Sequence, residues 1–218
     1  MPLMRKVDRE HPDTETLELA AGILRRGGVI VYPTETVYGI GANALDAAAV
    51  RKVQEVKARK APKPILLIIG DKSALHALTT GISGEAEMLI DAFWPGPLTL
   101  ICNASAMVPE AVTQGTGTVG VRVPSSPFCR GLMRLCPWPV TSTSANISGM
   151  PVHRTIGEIR EALGPGVDLF LDAGTLPESL PSTVVDVAHG RPRLLRAGAI
   201  PAARIGEVLA TFDPGPHD

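Results

Sequence analysis

The chain is 218 residues long, 44% hydrophobic and 20% charged, a balance that can bury a full core and excludes a disordered, solvating polypeptide. A formal net charge of −1 and an aromatic content of 4% exclude a global positive field for nucleic acid and a base-stacking platform.

In chain order, Asp13 caps a helix whose Leu17, Ala20, Ala21 and Leu24 recur at helical spacing, with Gly27-Gly28 as its stop. Val29 to Tyr32 reads as a buried strand. Asp46 starts a second helix with Ala49, Val50, Val53 and Val56 on one face, and Ile65 to Ile69 is a second buried strand. Ser83 precedes a helix that ends at Trp94-Pro95-Gly96-Pro97, and Leu98 to Cys102 and Thr118 to Val123 are further strands. Ser126-Pro127 places proline at a first helical position, where its missing N–H costs nothing. Thr155 and Glu158 fit a capping box, with Gly164 as the matching stop. Thr183 to Val187 and Arg193 to Arg196 flank His189-Gly190-Arg191-Pro192 as a hairpin, and Pro201 opens a last helix. Helix-spaced crossovers alternating with strand pairs predict one α/β domain over 1–218 with a mixed sheet, its core at about 14–210 between flexible termini.

Cys102, Cys129 and Cys136 leave no complete disulfide framework, and the five histidines form no zinc pattern. The N-terminus is charged and the apolar run Ile65 to Ile69 is too short to span a bilayer, so a soluble cytoplasmic protein without a membrane role is expected.

Three stretches could carry chemistry. Residues 51–63 hold six Lys/Arg (Arg51, Lys52, Lys57, Arg59, Lys60 and Lys63) against Glu55. Converging cations of this kind suit phosphates, although charge alone favours a solvated helix face. Pro33-Thr34-Glu35-Thr36-Val37-Tyr38-Gly39-Ile40-Gly41 runs off the first strand with hydroxyls, a carboxylate and glycines, where open α/β sheets bind ligands. Thr141-Ser142-Thr143-Ser144-Ala145-Asn146-Ile147-Ser148-Gly149 is a second polar turn, rich enough to hold phosphate, sugar or base groups or to bond its own backbone. No triad order, Walker loop, metal motif or dinucleotide fingerprint accompanies them. Positioning and charge stabilisation are the mechanisms these residue types support.

The ordered set of PTETVYGIGANA, Lys57-Ala58-Arg59, Ser144-Ala145-Asn146 and Ser182-Thr183-Val184-Val185-Asp186 resembles the YrdC-like family of L-threonylcarbamoyladenylate synthases, from about Leu17 to Leu209. The resemblance implies a twisted open sheet of mixed parallel and antiparallel strands with flanking helices, in the short single-domain form. It implies a nucleotidyltransferase that makes threonylcarbamoyl-AMP and pyrophosphate from L-threonine, bicarbonate or CO2, and ATP with Mg²⁺. A separate tRNA threonylcarbamoyl transferase complex would consume that product. By motif position Lys57 and Arg59 would hold the triphosphate with Lys63 near it, and Thr118, Ser144, Asn146 and Arg196 would serve the nucleotide. Thr36, Arg122, Ser142 and Ser182 would line the threonine site, with Arg122 on the carboxylate. No resident metal ligand is implied. Lys60, Ile68, Val152 and Ala197 stand where relatives carry proline, histidine, serine and proline. Removing Lys57 or Arg59 as exposed charges is expected to leave the fold intact. A YrdC-like module that binds tRNA or double-stranded RNA, or a paralogue without synthase activity, is the competing reading. Salt-sensitive RNA binding without ATP turnover would favour the module.

Overall fold

The computed structural model describes residues 2–58 and 64–214, and its longer helices begin at the caps the sequence supplies. After β1 (Leu3–Lys6) comes α1 (Thr14–Arg25), where the Asp13 carboxylate accepts the Thr16 N–H at 2.8 Å. The strands β2 (Ile30–Pro33) and β3 (Tyr38–Gly41) form a hairpin, and α2 (Ala47–Val56) starts with Asp46 accepting from Ala48 and Ala49. Ala58, at φ 47°, takes the left-handed turn just past α2, a position usually given to glycine. Then follow β4 (Leu66–Ile68), α3 (Leu75–Leu78), and α4 (Gly84–Phe93) capped by Ser83. Next come β5 (Leu98–Asn103), α5 (Glu110–Thr113), β6 (Thr118–Arg122), and α6 (Pro127–Leu135) behind the Ser126 cap. Two short strands, β7 (Val140–Thr141) and β8 (Thr143–Ser144), precede α7 (Ile156–Leu163), where both halves of the Thr155–Glu158 capping box form. The chain closes with β9 (Leu169–Asp172), β10 (Thr183–Asp186), β11 (Arg193–Arg196) and α8 (Ala202–Val208).

These strands make two sheets, ordered β1-β9-β2-β3-β8 and β11-β10-β5-β6-β4-β7. In the first, β1 and β2 run parallel to β9, while β3 is antiparallel to β2 and β8. In the second, β10 is parallel to β5 and β4 to β6, and the remaining pairs are antiparallel. The mixed pairing expected from sequence is therefore present, divided between two sheets.

Alternation along the first sheet explains its unbroken apolar strands. Val29, Val31, Ile40 and Phe170 join the larger core that includes Leu67, Leu100 and Val121 of the second sheet. Ile30, Tyr32, Leu169 and Leu171 point the other way, against Leu17 and Leu24 of α1 and Phe128 and Leu132 of α6. With both faces covered, no polar alternation survives in Val29-Ile30-Val31-Tyr32. The first strand lies outside the core boundary drawn from sequence: Leu3 to Lys6 pair with Leu169 to Asp172 at the sheet edge. Its four residues are all exposed, so no burial pattern marks them.

Candidate active site

A cavity of about 490 Å³ is walled by both sheets. Its first wall is the tight connection between β2 and β3. The Thr34 hydroxyl accepts the N–H groups of Thr36 and Val37, each at 3.1 Å, and donates to the Val37 carbonyl at 2.6 Å. This side-chain turn fixes Thr36, whose hydroxyl lies 3.1 Å from that of Thr34. The Thr36 carbonyl accepts the Ser179 hydroxyl. The stretch read as a polar loop through Gly41 is thus a loop only to Val37. Beyond it, Tyr38 is the start of β3, and its phenol donates to Gly174 O and accepts from Ala173 N–H. Burial pushes that phenol up to about 12, with Asp172 adding to the shift.

The second wall is the Ser142–Asn146 turn. Ser142 is tied to β4 by its N–H on Leu66 O at 2.7 Å, and Ser142, Thr143 and Ser144 all face the cavity. The Ser144 hydroxyl donates to Asn146 Oδ1 at 2.6 Å, while the Asn146 amide donates to Met150 O. Lys57 is only 3% exposed. Its ammonium donates to the Ser144 carbonyl, to the Asn146 carbonyl at 2.8 Å and to Asn146 Oδ1 at 3.3 Å. Lys57 therefore locks the Ser-x-Asn turn from behind and does not itself line the cavity. The expectation that this lysine is an exposed charge is corrected: α2 ends with its backbone packed on the turn, the Ser148 N–H bonding Lys57 O at 3.0 Å.

The third wall comes from β10 and β11. Ser182 and Val184 face the cavity, as does Arg196. The Arg196 guanidinium donates to Ser182 O at 2.7 Å and to Ser182 Oγ at 3.0 Å, and Ser182 Oγ lies 2.9 Å from Thr99 Oγ1. Burial lowers the pKa of Arg196, and the Arg122 guanidinium adds to the effect. Gly198 permits this seam, because a Cβ there would meet Pro181 O at 2.3 Å and Thr183 N at 2.6 Å. Gly198→Ala is expected to destabilise the protein by about 2 kcal/mol, since backbone on both sides cannot yield as a flexible side chain would. A melting curve within error of wild type would show that the strands part freely.

Gly120 and Arg122 of β6 also line the cavity. Strand alternation puts Thr118 on the same face, but it does not line the cavity: it is buried at the start of β6 with its hydroxyl 3.0 Å from that of Thr116. Arg59 and Lys63 lie outside the described residues, as does Lys60. Among the departures, Val152 lines the cavity, Ile68 is buried in the cluster with α1 and α6, and Ala197 precedes Gly198 in the seam.

Beside Val152, sequence reasoning missed the lining residues His153 and Arg154 and the stretch Leu176, Pro177, Glu178 and Ser179. Arg154 joins them, its Nε donating to Leu176 O at 2.8 Å while the Leu176 N–H bonds Arg154 O at 3.0 Å. Neither stretch has a periodic signal; the resemblance at Val152 and its place just after the Ser-Gly turn point to the first, and nothing points to the second. The nearby Cys129 is no nucleophile, because burial, with a contribution from Glu35, pushes its thiol up to about 12. Hydroxyls and guanidiniums around a partly apolar cavity are suited to orienting a polar, anionic ligand.

The protein-family model Sua5_yciO_yrdC, described as telomere recombination, matches residues 22–198. The threonylcarbamoyl-AMP synthase of Pyrococcus abyssi is 39% identical over 201 residues, covering 92% of this chain and 59% of that protein. The threonylcarbamoyl-AMP synthase of Thiobacillus denitrificans is 38% identical over 178 residues, covering 80% of this chain and 91% of that one. The crystal structure of P. abyssi Sua5 complexed with L-threonine superposes with a TM-score of 0.91 at 38% identity, over 97% of this chain and 62% of that chain. E. coli YciO superposes with a TM-score of 0.83 at 28% identity, over 91% and 96%. The chain thus spans 59% and 55% of the length of the Pyrococcus and Bacillus subtilis relatives.

Proposed function

This chain belongs to the Sua5/YciO/YrdC family, and from that membership we propose that it is an L-threonylcarbamoyladenylate synthase. It would convert L-threonine, bicarbonate or CO2, and ATP to threonylcarbamoyl-AMP and pyrophosphate. The observation that carries this reading is the convergence of Thr36, Arg122, Ser142, Ser144, Ser182 and Arg196 on one cavity. Five stretches of the chain supply them, at the positions that the family resemblance marks.

In this reading the Arg122 end holds the amino acid, with the guanidinium on its carboxylate and the hydroxyls of Thr36, Ser142 and Ser182 around its polar groups. The nucleotide lies toward Ser144 and Arg196, with Asn146 fixing Ser144 and Thr118 buried outside the cavity lining. Lys57 keeps the Ser-x-Asn turn in place beside the triphosphate, whose charge Arg59 and Lys63 would neutralise. The threonine nitrogen, once deprotonated, captures CO2 as a carbamate. A carbamate oxygen then attacks the α-phosphorus, and the bond to the bridging oxygen of pyrophosphate breaks. No enzyme nucleophile is required, only orientation and charge neutralisation. Mg²⁺ would enter as part of the Mg–ATP substrate, held by phosphate oxygens. The product would pass to a separate transferase that modifies tRNA, which places the reaction in the cytoplasm. Among the described residues no helix is long and apolar enough to cross a membrane.

The test is pyrophosphate release with each substrate omitted in turn. Release is expected only when threonine, bicarbonate and ATP are all present. Turnover that continues at full rate without threonine or without bicarbonate would refute the assignment.

A further inference from the structure

The carboxylate of the Thr34-Glu35-Thr36 turn has no part in the function proposed above. Its side chain is 15% exposed, and its Oε1 stands 3.4 Å from Nη1 of Arg122, whose side chain is 4% exposed. The Ser125 N–H also reaches Oε1, at 3.4 Å. Glu35 Oε2 is buried and accepts no hydrogen bond, and Arg122 Nε is buried and donates none. A guanidinium and a carboxylate can meet through two short parallel bonds. Here they meet through one long contact, and each keeps a buried polar atom unsatisfied, which is costly. Arg122 lines the cavity and Glu35 does not, so Glu35 acts on a ligand through Arg122 and through its field.

The charge arrangement says which ligand. Arg122 and Arg196 both stand on the cavity wall. Two guanidiniums without a nearby counter-charge would hold any small anion, including the phosphates of the nucleotide, at the wrong end of the cavity. Glu35 cancels the charge of Arg122, so a simple anion gains little there. A zwitterion gains more: its carboxylate meets the guanidinium while its ammonium lies in the field of the carboxylate. We infer that Glu35 is a positioning residue that makes the Arg122 end of the cavity selective for a zwitterionic amino acid over a simple anion. This rests on the reading of Arg122 as the grip for the amino-acid carboxylate.

Calorimetric titration of the full chain with two ligands tests it: L-threonine, and 2,3-dihydroxybutanoate, which carries a hydroxyl in place of the amine. Wild type is expected to prefer threonine by more than about tenfold, as a site built around a charged partner rejects the analogue that lacks it. Glu35→Gln keeps the shape and removes the charge. The preference should then fall to within about threefold, with threonine weaker and the hydroxy acid held as well as before or better. Glu35→Asp, which retains the charge, should recover part of the preference. A purely structural role would weaken both ligands together and leave their ratio alone. An unchanged ratio in Glu35→Gln that melts cooperatively overturns the inference. Should that variant fail to fold, wild type still decides: equal affinity for the two ligands overturns it, and a strong preference that Glu35→Asp reduces supports it. Threonine that does not bind wild type at all would overturn the proposed function itself, and this inference with it.

Discussion

Replacing Lys57 with alanine is expected to lower stability and activity together. The ammonium is buried and donates to three oxygens of the Ser144–Asn146 turn. Truncation leaves two carbonyls and the Asn146 side-chain oxygen without that donor in a site where water cannot easily replace it. Ser144 O still accepts the Asn146 N–H and Asn146 Oδ1 the Ser144 hydroxyl, so the cost is that of the lost charge-assisted bonds and the stranded Asn146 carbonyl, about 3 kcal/mol. For a chain of this size that lowers the melting temperature by about 6–12 °C. Pyrophosphate release should be lost as well, because Ser144 lines the cavity and its position depends on this lysine. Lys57→Met should fare little better, since it restores the packing and not the donor. Thermal unfolding followed beside the pyrophosphate assay reads both effects. An unshifted melting temperature would mean that the turn holds without its lysine.

Arg122→Lys should separate the two substrates. Lysine keeps the positive charge beside Glu35 but loses the planar fork that engages a carboxylate through two bonds. Loss of one charge-assisted hydrogen bond costs about 2 kcal/mol, which is about a 30-fold rise in the apparent KM for threonine. ATP affinity should change by less than about twofold, because the nucleotide is assigned to the Ser144 and Arg196 side of the cavity. The ion pair with Glu35 is itself the competing explanation for a buried strand-end arginine. Titration with each substrate distinguishes them: a variant that binds threonine as wild type does would remove Arg122 from the amino-acid site.

Much of this architecture can be read from the chain because local chemistry decides it. Asp13, Asp46, Ser83, Ser126 and Thr155 all cap the helices that follow them, since an orphan N–H needs an oxygen whatever the tertiary context. The buried strands at Val29, Ile65 and Thr118 announce themselves by apolar runs. β3 does not, because Gly39 and Gly41 read as turn residues. Their place in a strand is set by packing: a Cβ on Gly41 would lie 2.7 Å from the Tyr32 ring, so the strand stays smooth for the tyrosine beneath it. The hydroxyl-rich turns are visible as excess polar residues, while their convergence is implied only by the family resemblance and by no local pattern. Nothing local joins Glu35 to Arg122, or Lys57 to Asn146; those contacts follow from the register of strands that pair across the chain. The stretch 176–179 is held by Arg154 at Leu176 and by the Ser179 hydroxyl on the Thr36 carbonyl, and leaves no pattern at all.

The pairing of remote strands also governs how the protein reaches its native state. Gly39 lies beside Ser144, Leu98 beside Thr183 and Leu3 beside Leu169, so both sheets close through very long loops. Each closure spends chain entropy before any contact repays it, a topology that folds in roughly milliseconds to seconds rather than microseconds. On the ribosome the consequence is sharper. Until residues 182–196 emerge, β5 has no β10 to pair with and two of the arginine and serine side chains of the cavity do not yet exist. The nascent chain would carry an open sheet edge and no binding site, a state prone to association with its neighbours and a natural client for chaperones.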